Sequence, residues 1–311
     1  MVNNKLLEKV KSKLHYGNDA SIDRKAEKWV LEPLIPRKSI TILDGLGGSG
    51  KSWLALDISY AISTGQSFLG KFPIKTHGKV FYLTAEESPE VFAERLDLLQ
   101  KHYPENKENF IWLSLLEEGV DMTSYLCTKK RGDRVVTETA EILEELIKEI
   151  QPIVTILDSF INFYGLNEND SEDAVFFYEV LKHLIREYNT NFIVLHHQNK
   201  EAMKGATAND TISFRGSGVL REQARSRIVY KNIKISEKQT AKKIILEKSN
   251  YFSPLKDELS KGLYLKFENG KHKYDEQFAL TAKRAEEEAK TRGKKKKGKE
   301  SEGLGDYEID F

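Results

Sequence analysis

The segment DGLGGSGKSW, residues 44–53, contains four glycines in its first seven positions, followed by a lysine and a serine. Glycine costs stability wherever the chain is ordered, so this density indicates that something approaches the backbone too closely for side chains. A β-branched, apolar run precedes the segment, and residues 51–64 have the pattern of a helix. The pattern G-x-x-x-x-G-K-S between a strand and a helix predicts a loop whose main-chain N–H groups surround a phosphate.

The residues of this loop are candidates for binding the phosphates of ATP. They are Gly45, Gly47, Gly48, Ser49, Gly50, Lys51, Ser52 and Trp53. The Lys51 ammonium is expected to reach the β- and γ-phosphates, and the Ser52 hydroxyl to bind Mg²⁺. The dipole of the following helix adds to the attraction for an anion. A glycine-rich turn that binds nothing is the alternative.

A carboxylate is needed to complete a magnesium site, and Asp158 is the candidate. It ends the apolar run IVTILD, residues 153–158, which predicts a buried strand. The end of such a strand lies at the carboxyl edge of a parallel sheet, beside the phosphate loop. Asp158 is therefore expected to be the Walker B aspartate and to approach Mg²⁺ through water or Ser52. A turn or helix cap is the alternative, since Ser159 follows.

Two consecutive glutamates, Glu86 and Glu87, end the strand predicted for KVFYLTAEES, residues 79–88. This strand is expected to be adjacent to the strand of Asp158, with the two glutamates pointing to opposite faces. Hydrolysis needs a group that orients water, and Glu86 is the candidate base, supported by Glu87. Surface solubility is the alternative role for this pair.

The rest of the chain has the organisation of an α/β protein. From residue 29 onwards, short apolar strands alternate with helices, which predicts a mostly parallel sheet covered by helices on both faces. After residue 226 the pattern becomes β-rich and predicts an antiparallel extension. We divide the chain into a helical arm (1–28), an ATPase domain (29–280), and a disordered basic linker with an acidic tail ending in Phe (281–311).

The composition excludes several classes of protein. The formal net charge is +1, so any nucleic-acid-binding residues must be clustered locally. The single cysteine cannot form an intramolecular disulfide and fits a reducing compartment. The N-terminal residues are charged rather than apolar, and no run approaches the length needed to span a bilayer. We expect a cytoplasmic protein that does not contact membranes.

A set of motifs in order along the chain resembles the RepA-type hexameric replicative helicases, a RecA-fold group of P-loop NTPases related to DnaB. The motifs are WVLEPLIPRKSITILDGLGGSGKS, YLTAEES, Arg95, ILDSF, NEND, LHHQNK and FRGSGVL. They cover roughly residues 29–252. The resemblance implies a hexameric ring that binds ATP and Mg²⁺ between neighbouring subunits and single-stranded DNA in its channel.

The resemblance also implies roles for individual residues. Lys51 and Ser52 match the phosphate and metal residues, Glu86 the catalytic base, and Asp158 the Walker B aspartate. His197 matches a histidine that senses the γ-phosphate. Four arginines are candidates for a finger that completes the neighbouring subunit's site: Arg215, Arg221, Arg225 and Arg227. The spacing from RGS favours Arg225, with Lys248 as a helper; an ordinary surface arginine is the alternative.

Two polar connectors are candidates for contacting DNA. They are FINFYGLNENDSED, residues 160–173, and QNKEAMKGATANDTISF, residues 198–214, which contains Lys200 and Lys204. Both lack the aromatic rows that stack bases, which favours weak binding to the phosphate backbone without sequence preference. Subunit packing is the alternative. The acidic end, Asp310–Phe311, resembles tails that dock into polymerases, primases or helicases, although an idle solvated tail is equally consistent with it.

Together these features predict an ATP-dependent, ring-forming DNA helicase or translocase that acts in replication of a mobile element, plasmid or phage. The alternative is a RecA-like ATPase that acts as a recombination mediator or a nucleotide-gated switch without unwinding DNA. The RecA core supports several such activities, so the fold alone does not decide between them.

Overall fold

The computed structural model describes residues 4–15, 27–104, 108–120, 125–198 and 218–302. The strands are β1 (Trp29–Leu31), β2 (Ile35–Pro36), β3 (Ile40–Gly45), β4 (Val80–Thr84), β5 (Phe110–Ser114), β6 (Cys127–Lys130), β7 (Asp133–Val136), β8 (Val154–Asp158), β9 (Phe192–His197), β10 (Ser226–Lys234), β11 (Thr240–Ser249), β12 (Leu263–Glu268) and β13 (Lys271–Lys273). The helices are α1 (Asn4–Lys11), α2 (Lys51–Thr64), α3 (Pro89–Gln100), α4 (Glu138–Ile150), α5 (Phe160–Phe163), α6 (Ser171–Tyr188), α7 (Gly218–Gln223), α8 (Lys256–Lys261) and α9 (Glu276–Glu302).

Among the described residues, one nine-stranded sheet forms the centre of the fold. Its strand order is β13-β12-β11-β10-β3-β9-β8-β4-β5. The strands from β10 through β5 in this order pair in parallel, whereas β11, β12 and β13 pair antiparallel. The predicted α/β class, with a mostly parallel sheet and an antiparallel extension at its C-terminal end, is confirmed.

The register of the parallel strands brings the candidate site residues to one edge. Gly45 at the end of β3 pairs with His197 on β9, and Thr84 at the end of β4 pairs with Asp158 on β8. As expected, β4 lies next to β8, the strand of Asp158, while β9 lies between β8 and β3. Glu86 reaches the site because it follows β4 at the same edge of the sheet.

Helices cover both faces of the sheet, as predicted, because successive side chains of each parallel strand enter different cores. On one face, Tyr82 of β4 packs in a core that contains Leu54 of α2 and Phe92 of α3. On the other face, Leu83 packs in a core that contains Phe177 of α6. Burial on both sides explains why the strands are almost continuously apolar.

A buried polar cluster attaches α2 to the antiparallel extension. The Asp57 carboxylate accepts hydrogen bonds from the Tyr103 hydroxyl (2.5 Å) and from the backbone N–H of His272 (2.8 Å). The His272 ring contacts Asp57 through Nδ1 (2.9 Å) and the Tyr230 hydroxyl through Nε2 (2.6 Å). Asp57 and Tyr230 are fully buried. The helix that begins at the phosphate loop is therefore bonded to β13 and β10.

The C-terminal segment differs from the expectation. Residues 281–302, expected to be disordered for lack of apolar residues, continue helix α9. The segment is rich in Ala, Glu, Lys and Arg, which are good helix formers. Glu286 accepts hydrogen bonds from Lys243 (2.7 Å) and from the Tyr264 hydroxyl, and so fixes α9 to the extension. The tail residues Asp310–Phe311 lie outside the described part of the chain.

The predicted N-terminal arm is helical over Asn4–Lys11, where α1 exposes Leu7 and Val10. Residues 16–26 of the arm lie outside the described residues. The boundaries that we drew between the arm, the ATPase domain and the tail remain predictions.

Candidate nucleotide-binding site

Two glycines of the phosphate loop are required by the shape of the protein itself. A Cβ atom on Gly45 would lie 2.5 Å from the carbonyl oxygen of Tyr230 on the neighbouring strand, so any side chain would collide with β10. Gly50 has a φ of +95°, in the left-handed region that favours glycine. From the sequence, a closely bound phosphate was the expected reason for these glycines, and the packing of Gly45 against β10 is an additional reason.

The N-terminus of α2 presents backbone donors at the loop. Its first hydrogen bond runs from the Leu54 N–H to the Gly50 carbonyl (3.2 Å), so the N–H groups of Lys51, Ser52 and Trp53 have no acceptor within the helix. These donors and the helix dipole favour an anion at this position. The indole of Trp53 packs on Phe267, with ring centroids 5.4 Å apart, while its main-chain N–H is among the donors at the start of α2.

The Lys51 side chain lies almost completely buried inside the loop, with 4% of its surface exposed. Its ammonium donates to the carbonyl oxygens of Gly45 (3.0 Å) and Leu46 (3.1 Å). Burial lowers the pKa of Lys51, and the negative charges of Asp158, Asp44 and Glu86 oppose this shift. A desolvated positive charge at this point is suited to a phosphate.

Lys51, His197 and Glu86 form a chain of contacts across the site. Lys51 Nζ lies 3.0 Å from His197 Nδ1, and His197 Nε2 lies 3.3 Å from Glu86 Oε1. A lysine ammonium can only donate, so Nδ1 accepts and the hydrogen on Nε2 points to Glu86. The hydrogen bond from His197 is the main cause that lowers the pKa of Glu86 to about 2. Glu86 is therefore an ionised acceptor at neutral pH.

Glu86 Oε1 has two further donors besides His197. The Ser159 hydroxyl donates to this oxygen, and the side-chain amide of Asn162 lies 3.3 Å from it. These contacts fix the carboxylate at the edge of the sheet. The arrangement holds a base in one orientation beside the loop, as a group that positions water requires.

Asp158 and Ser52 lie together at the candidate metal position. The Asp158 carboxylate is buried and accepts hydrogen bonds from the Tyr82 hydroxyl (2.7 Å) and from the Ser52 side chain. Burial raises the pKa of Asp158, and the two hydrogen bonds oppose this shift. Mg²⁺ in nucleotide sites takes one or two protein oxygens together with phosphate oxygens. The hydroxyl of Ser52 and the carboxylate of Asp158 fit this requirement.

Glu87 points away from Glu86 and pairs with Arg95 of α3. Burial raises the pKa of Glu87, and the charge of Arg95 opposes this shift. The guanidinium carbon of Arg95 also lies 5.1 Å from the centre of the Trp53 ring. Glu87 thus anchors α3 beside the first turn of α2, which is a supporting role rather than contact with water.

Arg225, the favoured finger, lies at the opposite edge of the sheet. Its backbone N–H donates to the carbonyl oxygen of Ile40 at the start of β3 (3.0 Å), and its side chain is exposed. It lines a cavity of about 260 Å³ together with Lys38, Lys182 and Arg186. Lys248, the proposed helper, is close enough that Arg225 contributes to lowering its pKa, although burial is the larger cause. The two residues therefore share one basic region of the surface.

Two other finger candidates have structural roles. Arg227 is completely buried and pairs with Asp44 and Glu247, so it cannot reach another subunit. Arg221 lies 3.4 Å from Glu247. Arg215 lies outside the described residues. Burial of Arg227 follows from its position on β10, where the strand is covered on both faces.

In the first candidate DNA-contacting segment, residues 160–173, several residues have structural roles. Phe160 and Phe163 are core residues of α5, and Asp170 caps the N-terminus of α6. The buried Asp173 accepts from Arg134 (2.6 Å) and Lys129 (2.7 Å). Asp170 and Asp173 of this segment are thus bonded within the chain. The second segment, with Lys200 and Lys204, lies mostly beyond the described residues.

One residue beside the loop was not found from the sequence. Lys242 of β11 donates to the carbonyl oxygen of Ser49 (2.8 Å). Nothing in the run TAKKIILEKS distinguishes it from its neighbour Lys243, which faces α9 and pairs with Glu286. The alternation of a strand indicates that the two lysines face opposite sides, but not which one meets the loop.

Comparisons with known proteins agree with the fold. The sequence model of a family described as "AAA domain" matches residues 11–203. The structure is similar to that of a KaiC-like protein from the hyperthermophilic archaeon Pyrococcus horikoshii OT3, with a TM-score of 0.50 and 13% identity. That similarity covers 78% of this chain and 92% of the archaeal chain. No curated protein matches the sequence.

Within the ranges that the structure describes, none of the helices combines the length and the apolar character needed to cross a bilayer.

Proposed function

This chain belongs to the AAA domain family and has a RecA-like P-loop ATPase fold, and from that premise we propose that it is a ring-forming DNA helicase or translocase driven by ATP hydrolysis. We place it with the RepA-type hexameric helicases on its ordered motifs, acting in the cytoplasm on replication of a mobile element, plasmid or phage. Its proposed ligands are ATP, Mg²⁺ and single-stranded DNA.

The observation that carries the proposal is the separation of Arg225 from the phosphate loop of its own chain. Arg225 lies at the amino end of β3 and the loop at its carboxyl end, about 17 Å apart at about 3.3 Å per residue. An arginine so placed does not serve its own site. In a ring built from head-to-tail contacts, the same arginine faces the site of the next subunit.

The residues of one chain supply the remaining functions. Glu86, ionised and held by His197, Ser159 and Asn162, orients the attacking water and accepts its proton. Lys51 and the N–H groups at the start of α2 stabilise negative charge on the phosphates. Bound Mg²⁺ would be held by Ser52 and Asp158 and would neutralise charge on the phosphoryl oxygens.

His197 connects this site to the region proposed to contact DNA. It touches both Lys51 and Glu86, and it ends β9 immediately before the connector with Lys200 and Lys204. If a change at the γ-phosphate moves Lys51 or Glu86, His197 would move with it and displace the start of that connector. The acidic tail ending in Asp310–Phe311 is our candidate for docking a polymerase, a primase or a single-stranded-DNA-binding protein.

Two measurements on the full chain test the proposal. We expect MgATP hydrolysis to be stimulated by single-stranded DNA, and a forked duplex to be unwound with ATP. Lys51→Ala should abolish both activities, whereas Lys79→Ala, an exposed lysine before β4, should change neither. Stimulation without strand displacement would favour a recombination mediator. Hydrolysis indifferent to DNA would overturn the motor and favour a nucleotide-gated switch.

A further inference from the structure

The contacts of Lys242 suggest a function for the antiparallel extension in the nucleotide site. Its ammonium lies 2.8 Å from the Ser49 carbonyl oxygen and 2.8 Å from Asn232 Oδ1. It also lies 3.5 Å from the position that a Cβ atom would occupy on Gly50. The β10–β11 pair thus places a cation directly against the phosphate loop.

This cation has no counter-ion in the part of the chain that the structure describes. Burial lowers the pKa of Lys242, and no carboxylate opposes the shift. The contrast with Lys243 is direct, because that neighbouring ammonium pairs with Glu286 at 2.7 Å. A half-buried charge without an anion is costly, and it persists where the surroundings or a ligand compensate for it. The rings of Tyr230 and Phe267 lie 5.6 and 5.9 Å from the ammonium, and an anion bound in the phosphate loop would add the missing negative charge.

The geometry of the peptide bond shows how Lys242 acts on the loop. The Ser49–Gly50 peptide is trans, so its C=O and N–H groups point in opposite directions. Lys242 holds the carbonyl oxygen on the side of β11, and the N–H of Gly50 consequently points away from β11, into the loop. The same ammonium polarises this peptide, which makes the N–H a stronger donor.

We propose that Lys242 is a positioning residue of the nucleotide site, which holds the Ser49 carbonyl so that the Gly50 N–H faces a bound phosphate. Its charge also adds positive potential behind the loop. The extension is thereby part of the nucleotide site rather than an appendage to the sheet. This inference rests on the proposed ATP-binding function of the loop.

The test compares nucleotide affinity with folding stability in the full chain. Lys242→Met should weaken binding of both MgATP and MgADP about tenfold, since a hydrogen bond to a charged group and its orienting effect are lost. Lys242→Arg should restore most of the affinity, because it keeps the charge and the donor. Lys234→Met is the matched control: Lys234 is on the same hairpin, is exposed, and pairs with Glu237. Affinity is measured by calorimetry and folding by the melting temperature.

The outcomes separate this inference from the proposed function. A loss of affinity at an unchanged melting temperature, rescued by arginine, supports it. If Lys242→Met does not fold, Asn232→Ala removes the exposed acceptor that holds the ammonium and should weaken binding about threefold. Wild-type affinity in a folded Lys242→Met protein overturns the inference but leaves the proposed ATPase function intact. The same holds for wild-type affinity in Asn232→Ala where that variant is used instead. A wild-type protein that binds no MgATP overturns both.

Discussion

His197 Nε2 lies 3.3 Å from Glu86 Oε1, and this contact joins the ends of two strands that are not neighbours in the sheet. β9, which carries His197, is separated by β8 from β4, which leads to Glu86. The contact spans Asp158, which ends the strand between them. The histidine and the glutamate therefore meet although the strand that ends in the candidate metal ligand Asp158 runs between their own strands.

We predict that Glu86→Gln abolishes hydrolysis without preventing nucleotide binding. The amide keeps the shape of the side chain but cannot accept the proton of the attacking water, so kcat should fall by about 10² to 10⁴-fold. Phosphate release gives kcat, and calorimetry with MgATP gives the affinity, which should stay within about threefold of wild type. Glu90→Gln, an exposed glutamate of α3, is the control and should be neutral.

We predict that His197→Ala raises the pKa of Glu86. The pKa is about 2 with the hydrogen bond from His197 and should move toward 4.5, the ordinary value, without it. In the wild type, Glu86 should thus remain ionised when the pH is lowered below 4. In the variant, Glu86 should already become protonated as the pH is lowered to about 4.5, its ordinary pKa. The carboxyl ¹³C resonance of Glu86, assigned with Glu86→Gln, reports the titration directly.

The exposed histidine His77 provides the control for this titration, because His77→Ala should leave the Glu86 resonance unchanged. An identical pKa of Glu86 in wild type and in His197→Ala would contradict the contact described above. The measurement needs no hydrolysis, so it remains valid even where the variant is inactive.

Local pattern was enough to predict the elements that carry the site. The glycine run, the apolar strands before it and before Asp158, and the glutamates after β4 each lie within one short segment. Parallel strands all end at the same edge, so predicting the strands also predicted that Glu86, Asp158 and His197 would meet. The complete order of the strands across the sheet was not predictable in this way.

What the sequence did not reveal depends on contacts between distant segments. Lys242 and Ser49 are 193 positions apart, and neither the strand pattern nor the charge of Lys242 indicates the pairing. Arg227 was a finger candidate because the sequence does not show that it pairs with Asp44 and Glu247 in the interior. In α9, the scarcity of apolar residues was given more weight than the helix propensity of Ala, Glu and Lys, and the helix proved to be anchored by Glu286.

We predict that Arg227→Met destabilises the fold strongly. The substitution leaves the completely buried Asp44 carboxylate without the guanidinium, and such a loss costs about 3–5 kcal/mol of the free energy of unfolding. Arg221→Met removes a partly exposed arginine from the same Glu247 and should cost no more than about 1 kcal/mol. Urea denaturation measures both. Equal, small losses would show that Arg227 is not the buried anchor of β10.

We predict that Arg225→Ala binds MgATP normally but does not hydrolyse it, because the arginine stabilises charge in the site of the next subunit. Mixing tests this directly. Lys51→Ala subunits still present Arg225, and Arg225→Ala subunits still have a complete phosphate loop, so mixed rings contain some complete sites. Two inactive proteins should therefore regain part of the wild-type activity when they are combined, whereas Arg186→Ala, from the same cavity, should be active alone. Absence of recovery across all mixing ratios, in rings shown to exchange subunits, would place the stabilising arginine elsewhere in the chain.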